Sequence, residues 1–75
     1  MLGRGWMKHA AILRHALDVE RARIGPEQVG FIEEFLKQGE IELAREQLLD
    51  ALSDIELEPL QETTALLNQE ANLRP

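Results

Sequence analysis

Residues 39–59, Gly39-Glu40-Ile41-Glu42-Leu43-Ala44-Arg45-Glu46-Gln47-Leu48-Leu49-Asp50-Ala51-Leu52-Ser53-Asp54-Ile55-Glu56-Leu57-Glu58-Pro59, hold the clearest periodicity in a chain of 75 residues. Ile41, Ala44, Leu48, Leu52 and Ile55 recur at the three- and four-residue spacing that lines one stripe of an α-helix. Gly39 suits the left-handed position that stops a preceding helix. Glu40 sets a carboxylate at the positive end of the new helix dipole, and Leu57-Glu58-Pro59 breaks the pattern. The stretch therefore predicts a helix over about 40–56 with clear stops on both sides.

Working outward, the same criteria yield three more helices. Before Gly39, Val29, Ile32, Phe35 and Leu36 form an inward stripe over about 26–38, with Phe31 at its edge; both phenylalanines are expected in the core. Gly25-Pro26 separates that helix from an earlier one, because proline disfavours helical geometry in the residue before it and suits a first helical position. Over about 7–24 the stripe is Ala10, Leu13, Leu17 and Ile24, broadened by Ile12, Ala16 and Val19. Beyond the break, a last helix over about 59–72 offers Leu60, Thr63 or Thr64, Leu67 and Ala71, flanked by Leu66. Trp6 is expected to pack against the bundle at the entry to the first helix. Short connections make consecutive helices antiparallel neighbours. The expected fold is all-α, a small bundle of four antiparallel helices. No period repeats, so a solenoid is not expected.

Residues 7–75 form one expected domain with a thin core, since a chain this short buries only about 60% of the surface its unfolded form exposes. Residues 1–6, with two glycines and no periodicity, are expected to be a flexible N-terminal segment, and Met7 is as good a natural start as Met1. There is no cysteine, hence no disulfide, thiolate nucleophile or cysteine-based zinc site, and a reducing, cytoplasmic location is expected. Apolar runs are far shorter than the roughly 18 to 20 residues that cross a bilayer, and no secretory segment is evident.

The charge is unevenly distributed. Residues 1–25 hold five bases against two acids, whereas residues 26–75 hold three against twelve, for a net charge of −6. From Glu46 to Leu73 there are seven carboxylates and no Lys, Arg or His. Such a body repels nucleic acid, whose binding relies on Lys and Arg neutralising phosphates. A basic protein is the more natural partner. Glu42, Glu46, Asp50 and Asp54 form a ladder along one side of the third helix, where each like-charged neighbour costs roughly 0.2–0.5 kcal/mol. Glu33 can pair with Lys37 and Glu42 with Arg45, but Asp50 and Asp54 have no base three or four residues away. Glu56, Glu58 and Glu62 extend the acidic run across the break. Arg14, Arg21 and Arg23 are the rivals for these acids, within the molecule or in a dimer.

Catalytic and metal chemistry find little footing. His9 and His15 stand six apart, on roughly opposite sides of a helix, whereas a two-histidine helical site wants a spacing of four. His15 with Asp18 makes only two ligands. Ser53, the only serine, has no histidine near it in sequence and would be a poorly activated nucleophile. Gly3-Arg4-Gly5 precedes no strand and lacks a phosphate-loop pattern. Paired carboxylates are plentiful, but acid–base work needs a cleft to desolvate one of them. No catalytic, cofactor-binding or metal-binding residue is expected, and the chain does not read as an enzyme.

Residues 31–52 resemble the MafI-type bacterial immunity proteins. The resemblance rests on a helix ending in the pair Gly39-Glu40, followed by Leu43-Ala44 and Leu48, and then on a helix-breaking proline, Pro59, before a last helix. It runs over roughly residues 10–73, mostly as apolar spacing. The chain departs from the family between helices three and four, where it has no tyrosine and places Glu58 before Pro59. The resemblance implies a small cytoplasmic antitoxin that binds and neutralises a cognate bacterial toxin domain. Such toxins are often basic nucleases, in agreement with the acidic ladder.

The expected partner-binding residues are Glu42, Glu46, Asp50 and Asp54, with Glu33, Glu34, Glu56 and Glu58 as secondary positions. The alternative is a helical dimerisation or adaptor module whose acids only solubilise it. A toxin-bearing gene next to this one would favour the first reading, and a tight homodimer that buries the ladder would favour the second.

Overall fold

The computed structural model describes residues 5–73, which form four helices and no strand. Helix α1 spans Gly5–Glu20, α2 Pro26–Lys37, α3 Ile41–Asp54 and α4 Gln61–Asn72. The all-α fold and its four segments are those expected, with shifted ends. α1 begins at Gly5, so Trp6 lies within it and packs, half-buried, on the core. Residues 1–4 of the expected N-terminal segment lie outside the described residues. α1 also ends four residues early, at Glu20, where the Arg23 amide donates to the Glu20 carbonyl at 2.8 Å and tightens the last turn.

The breaks have identifiable causes. Gly25 is extended (φ −71°, ψ 151°) before Pro26, as the ring of a following proline requires. At the end of α2, Gly39 adopts φ 75°. Its amide donates to the Leu36 carbonyl at 3.2 Å and that of Glu40 to Phe35 at 2.9 Å, the paired bonds of a Schellman stop. α3 ends the same way without a glycine. Glu56 takes φ 57°, with bonds from its amide to Ser53 and from Leu57 to Leu52, both 2.9 Å. Helix α3 therefore stops ahead of Pro59. Leu60 is extended before α4 (φ −63°, ψ 157°), so α4 starts two residues later than expected and Leu60 stays 42% exposed.

The core draws the expected stripes together, Ala10, Leu13, Ala16, Leu17 and Ile24 against Val29, Ile32, Leu36, Ala44, Leu48 and Leu52, with Ala51 added and Ile41 only half-buried at its edge. Each fully buried Leu or Ile contributes on the order of 1.5–3 kcal/mol of transfer free energy. Helix α1 is central and packs against α2, α3 and α4, while α2 and α3 form a hairpin in which Gln47 donates to Gln28. The result is a slab of 35 × 23 × 15 Å. Phe31 is a correction, being 48% exposed rather than in the core, and Phe35 only packs against the core's edge. Ile55 is likewise 46% exposed, because the Schellman turn carries it off the α3 stripe.

Helix α4 differs in kind. Its two buried residues are Thr63 and Glu70, with Leu66 and Leu67 only half-buried beside them and Ala71 exposed. It is held to α1 largely through polar groups at both ends. Glu20, at the end of α1, bonds to Leu60 and Thr63 at the start of α4, and His9, early in α1, bonds to Glu70 late in α4. This cross-pairing makes the two helices antiparallel.

Candidate functional site

Steps of four residues advance about 40° around a helix, so Glu42, Glu46, Asp50 and Asp54 fan over about a third of the circumference of α3. The buried stripe, Ala44, Leu48, Ala51 and Leu52, occupies the other side. All four acids are exposed. Glu42 lies 3.9 Å from Arg45, the local pair expected from spacing. Among the described residues no ion pair reaches Glu46, Asp50 or Asp54. Leu43 and Leu49 stand exposed on the same outer side, at 44% and 36%. The face is therefore a fan of charges interrupted by two aliphatic side chains.

The secondary positions are more varied. Glu33 is bound by Arg21 at 3.1 Å rather than by Lys37. Arg21 also holds Asp18 at 2.8 Å, and these two carboxylates, Asp18 first, raise the guanidinium above its ordinary pKa. Glu34 accepts a hydrogen bond from Gln38 at 3.2 Å. Glu56 and Glu58 are exposed on the α3–α4 connection, and Glu62 lies 3.4 Å from His15. The structure thus brings Glu42, Glu46 and Asp50 onto one outer face of α3, turns Asp54 toward its flank, and places Glu33 and Glu34 on a different helix with partners of their own.

Two further carboxylates, which the sequence reading passed over, are wholly buried. Glu20 accepts the Leu60 amide at 2.8 Å and the Thr63 hydroxyl at 2.6 Å on one oxygen, and Arg23 Nη1 at 2.7 Å on the other. Arg23 continues through Nη2 to the Glu58 carbonyl at 3.0 Å. Leu60 has no side chain that can cap α4; a carboxylate from another helix does that work, in the favourable field of the α4 N-terminus. Glu70 sits between His9 Nδ1 at 2.6 Å and Arg45 Nε at 3.4 Å, tying α4 to both α1 and α3. A signal for both was present. Glu20 continues the stripe of Leu13, Ala16 and Leu17, and Glu70 that of Thr63, Leu66 and Leu67, so each is an acid at a core position. Arg23, three residues beyond Glu20, lay within reach of a local reading; Leu60 and Thr63, 40 and 43 residues from Glu20, and His9, 61 residues from Glu70, did not.

Among the described residues no group of three or more His, Cys, Asp or Glu side chains is placed to hold a metal ion. Nor, among these residues, is any helix long and apolar enough to cross a membrane. Compared with protein-family profiles, curated proteins and solved structures, the chain finds no match.

Proposed function

We propose that this chain is an immunity-type protein that binds and neutralises a cognate bacterial toxin domain, a basic nuclease, through the outer face of α3. The observation that carries the reading is that Glu46, Asp50 and Asp54 are exposed and have no ion-pair partner among the described residues, in a fold that does spend carboxylates internally elsewhere. Arg21 and Arg23, two rivals for these acids, are engaged by Asp18, Glu33, Glu20 and the Glu58 carbonyl instead. The resemblance of residues 31–52 to MafI-type proteins supplies the class of partner.

Inhibition is by occlusion: the carboxylates occupy the Lys and Arg side chains with which a nuclease grips phosphate. Long-range attraction speeds encounter, while Leu43 and Leu49, desolvated at the contact, lengthen the life of the complex. The test is co-expression with the C-terminal domain encoded by the adjacent gene, scored by survival and co-purification, followed by association kinetics. Charge reversal at Glu46 and Asp50 slows association at low salt by about tenfold or more. Unchanged association at low salt removes this face as the interface.

A further inference from the structure

The reading above gives no role to an open groove of about 430 Å³ between α1 and α2. Its floor is apolar, built by Trp6, Met7, Ala11 and Leu36, and Met7 is 57% exposed. Arg14 and Lys37 stand on its rim, and neither takes part in an ion pair among the described residues. Asp18, the acid on the same rim, is held by Arg21. The groove is thus an apolar slot with two uncommitted cations, on a body that is strongly acidic from residue 26 onward.

The opposite character is found at the far end of α1. In the α3–α4 connection Ile55, Leu57 and Leu60 are 46%, 39% and 42% exposed, and the exposed acids Glu56 and Glu58 alternate with them. This connection is held in shape from beneath by the Schellman bonds at Glu56 and Leu57, by Arg23 on the Glu58 carbonyl and by Glu20 on the Leu60 amide. A segment already fixed loses little conformational entropy when it docks.

The geometry points to self-association in which residues 55–60 of one molecule seat in the α1–α2 groove of a second copy. The aliphatic side chains cover Trp6, Met7 and Ala11, and Glu56 and Glu58 face Arg14 and Lys37. The groove runs along α1 from Trp6 to Asp18, with its apolar floor around Trp6, Met7 and Ala11, and the connection lies at the C-terminal end of the same helix, beside Glu20 and Arg23; α1 is about 24 Å long at 1.5 Å per residue. Two copies with antiparallel α1 helices exchange both contacts at once, the condition for a closed two-fold dimer. An interface of ordinary size covers about 800 Å² on each partner, roughly a sixth of the 5048 Å² of accessible surface.

Sedimentation of the full chain from about 10 to 500 µM tests this. The wild type is expected at twice the 8.5 kDa chain mass, and Arg14→Glu/Lys37→Glu and Glu56→Lys/Glu58→Lys are each expected as monomers. Mixing the two variants in equal amounts restores the dimer, because every reversed groove then meets a reversed connection and every native groove a native one. Leu57→Ser, which leaves the backbone contacts of the connection in place, weakens the dimer at least tenfold and stands in for the lysine pair if that pair loses helical circular dichroism. A wild type that stays monomeric throughout, a dimer insensitive to these substitutions, or a mixture of two folded variants that fails to reassociate overturns the inference. Reversal at Glu46 and Asp50 leaves the dimer mass unchanged, so the toxin reading and this one fail separately.

Discussion

The outer face of α3 and the seam between α1 and α4 are built from the same functional group and use it in opposite ways. On α3, Glu46, Asp50 and Asp54 reach into solvent without an ion-pair partner among the described residues. In the seam, Glu20 and Glu70 are wholly buried, and each is shared between two helices or a helix and a connection. Charge counted along a sequence treats these acids alike. Their energetics differ because an ionised group taken out of water must recover its lost hydration from partners close at hand, whereas an exposed one keeps its water and interacts weakly with everything else. Acids left outside are available to a partner molecule; those inside are committed to the fold.

Substitution at Glu20 puts the comparison under the greatest strain. Glu20→Ala leaves Arg23, the Leu60 amide and the Thr63 hydroxyl without their shared acceptor. Breaking a buried pair in this way costs about 3–5 kcal/mol, a large share of the 5–15 kcal/mol typical of a domain. Urea denaturation should show that loss, and the melting temperature should fall by more than about 10 °C. A loss below about 1 kcal/mol would mean the seam does not depend on its carboxylate.

The second experiment separates destabilisation by removing one partner from the net worth of the whole cluster. Glu70→Ala should cost about 3 kcal/mol, because His9 then lacks its hydrogen-bond partner and Arg45 its buried counter-ion. Replacing all three together by apolar residues of similar volume, His9→Leu, Arg45→Met and Glu70→Leu, should recover most of that loss or exceed it. Calorimetric melts of the single and triple variants decide the matter. If the triple variant is as unstable as the single one, the cluster does more than satisfy its own charges.

A smaller effect of opposite sign is expected where the two regions meet. Glu56 holds a left-handed conformation that glycine adopts without cost, as Gly39 does at the end of α2. Glu56→Gly should therefore stabilise the fold by about 0.5–1 kcal/mol, the relief of backbone strain being partly offset by a freer unfolded chain. The urea midpoint reports it, and a lower midpoint would show that the Glu56 side chain does structural work. The smallest change is expected on α3. Glu46→Gln or Asp50→Asn should alter stability by less than about 0.5 kcal/mol, with a slight gain at low salt as like-charge repulsion is relieved. A loss beyond 1 kcal/mol there would erase the contrast between the two regions.

Helices α2 and α3 were almost fully legible because their information is local. The apolar stripe of Ala44, Leu48 and Leu52, the Gly25-Pro26 break and the stop at Gly39 each depend on residues within one or two turns of one another. Boundaries were lost where the deciding contact was remote or unusual. α3 stops at a glutamate performing a glycine's role, and α4 begins where a carboxylate of α1 caps it, so Pro59 and Leu60 fell outside a helix they were expected to start. Phe31 was misplaced because its position at the stripe's edge becomes core or surface only according to the angle at which a neighbouring helix packs. Of the acids, the exposed fan on α3 was readable from spacing, since no base lies three or four residues from Asp50 or Asp54; that Arg21 and Arg23 turn to other carboxylates was not. The Glu33 pairing with Arg21 was not, as it spans two helices.

What the chain determined by itself, then, was the number, order and approximate extent of its helices and the surplus of negative charge on the third. Periodicity and chain-breaking residues act over a few ångströms and are written consecutively. Only the folded arrangement decided which carboxylates are spent inside and which remain outside. That choice depends on bringing Glu20 to the start of α4, and Glu70 between His9 and Arg45, across separations that no local pattern records.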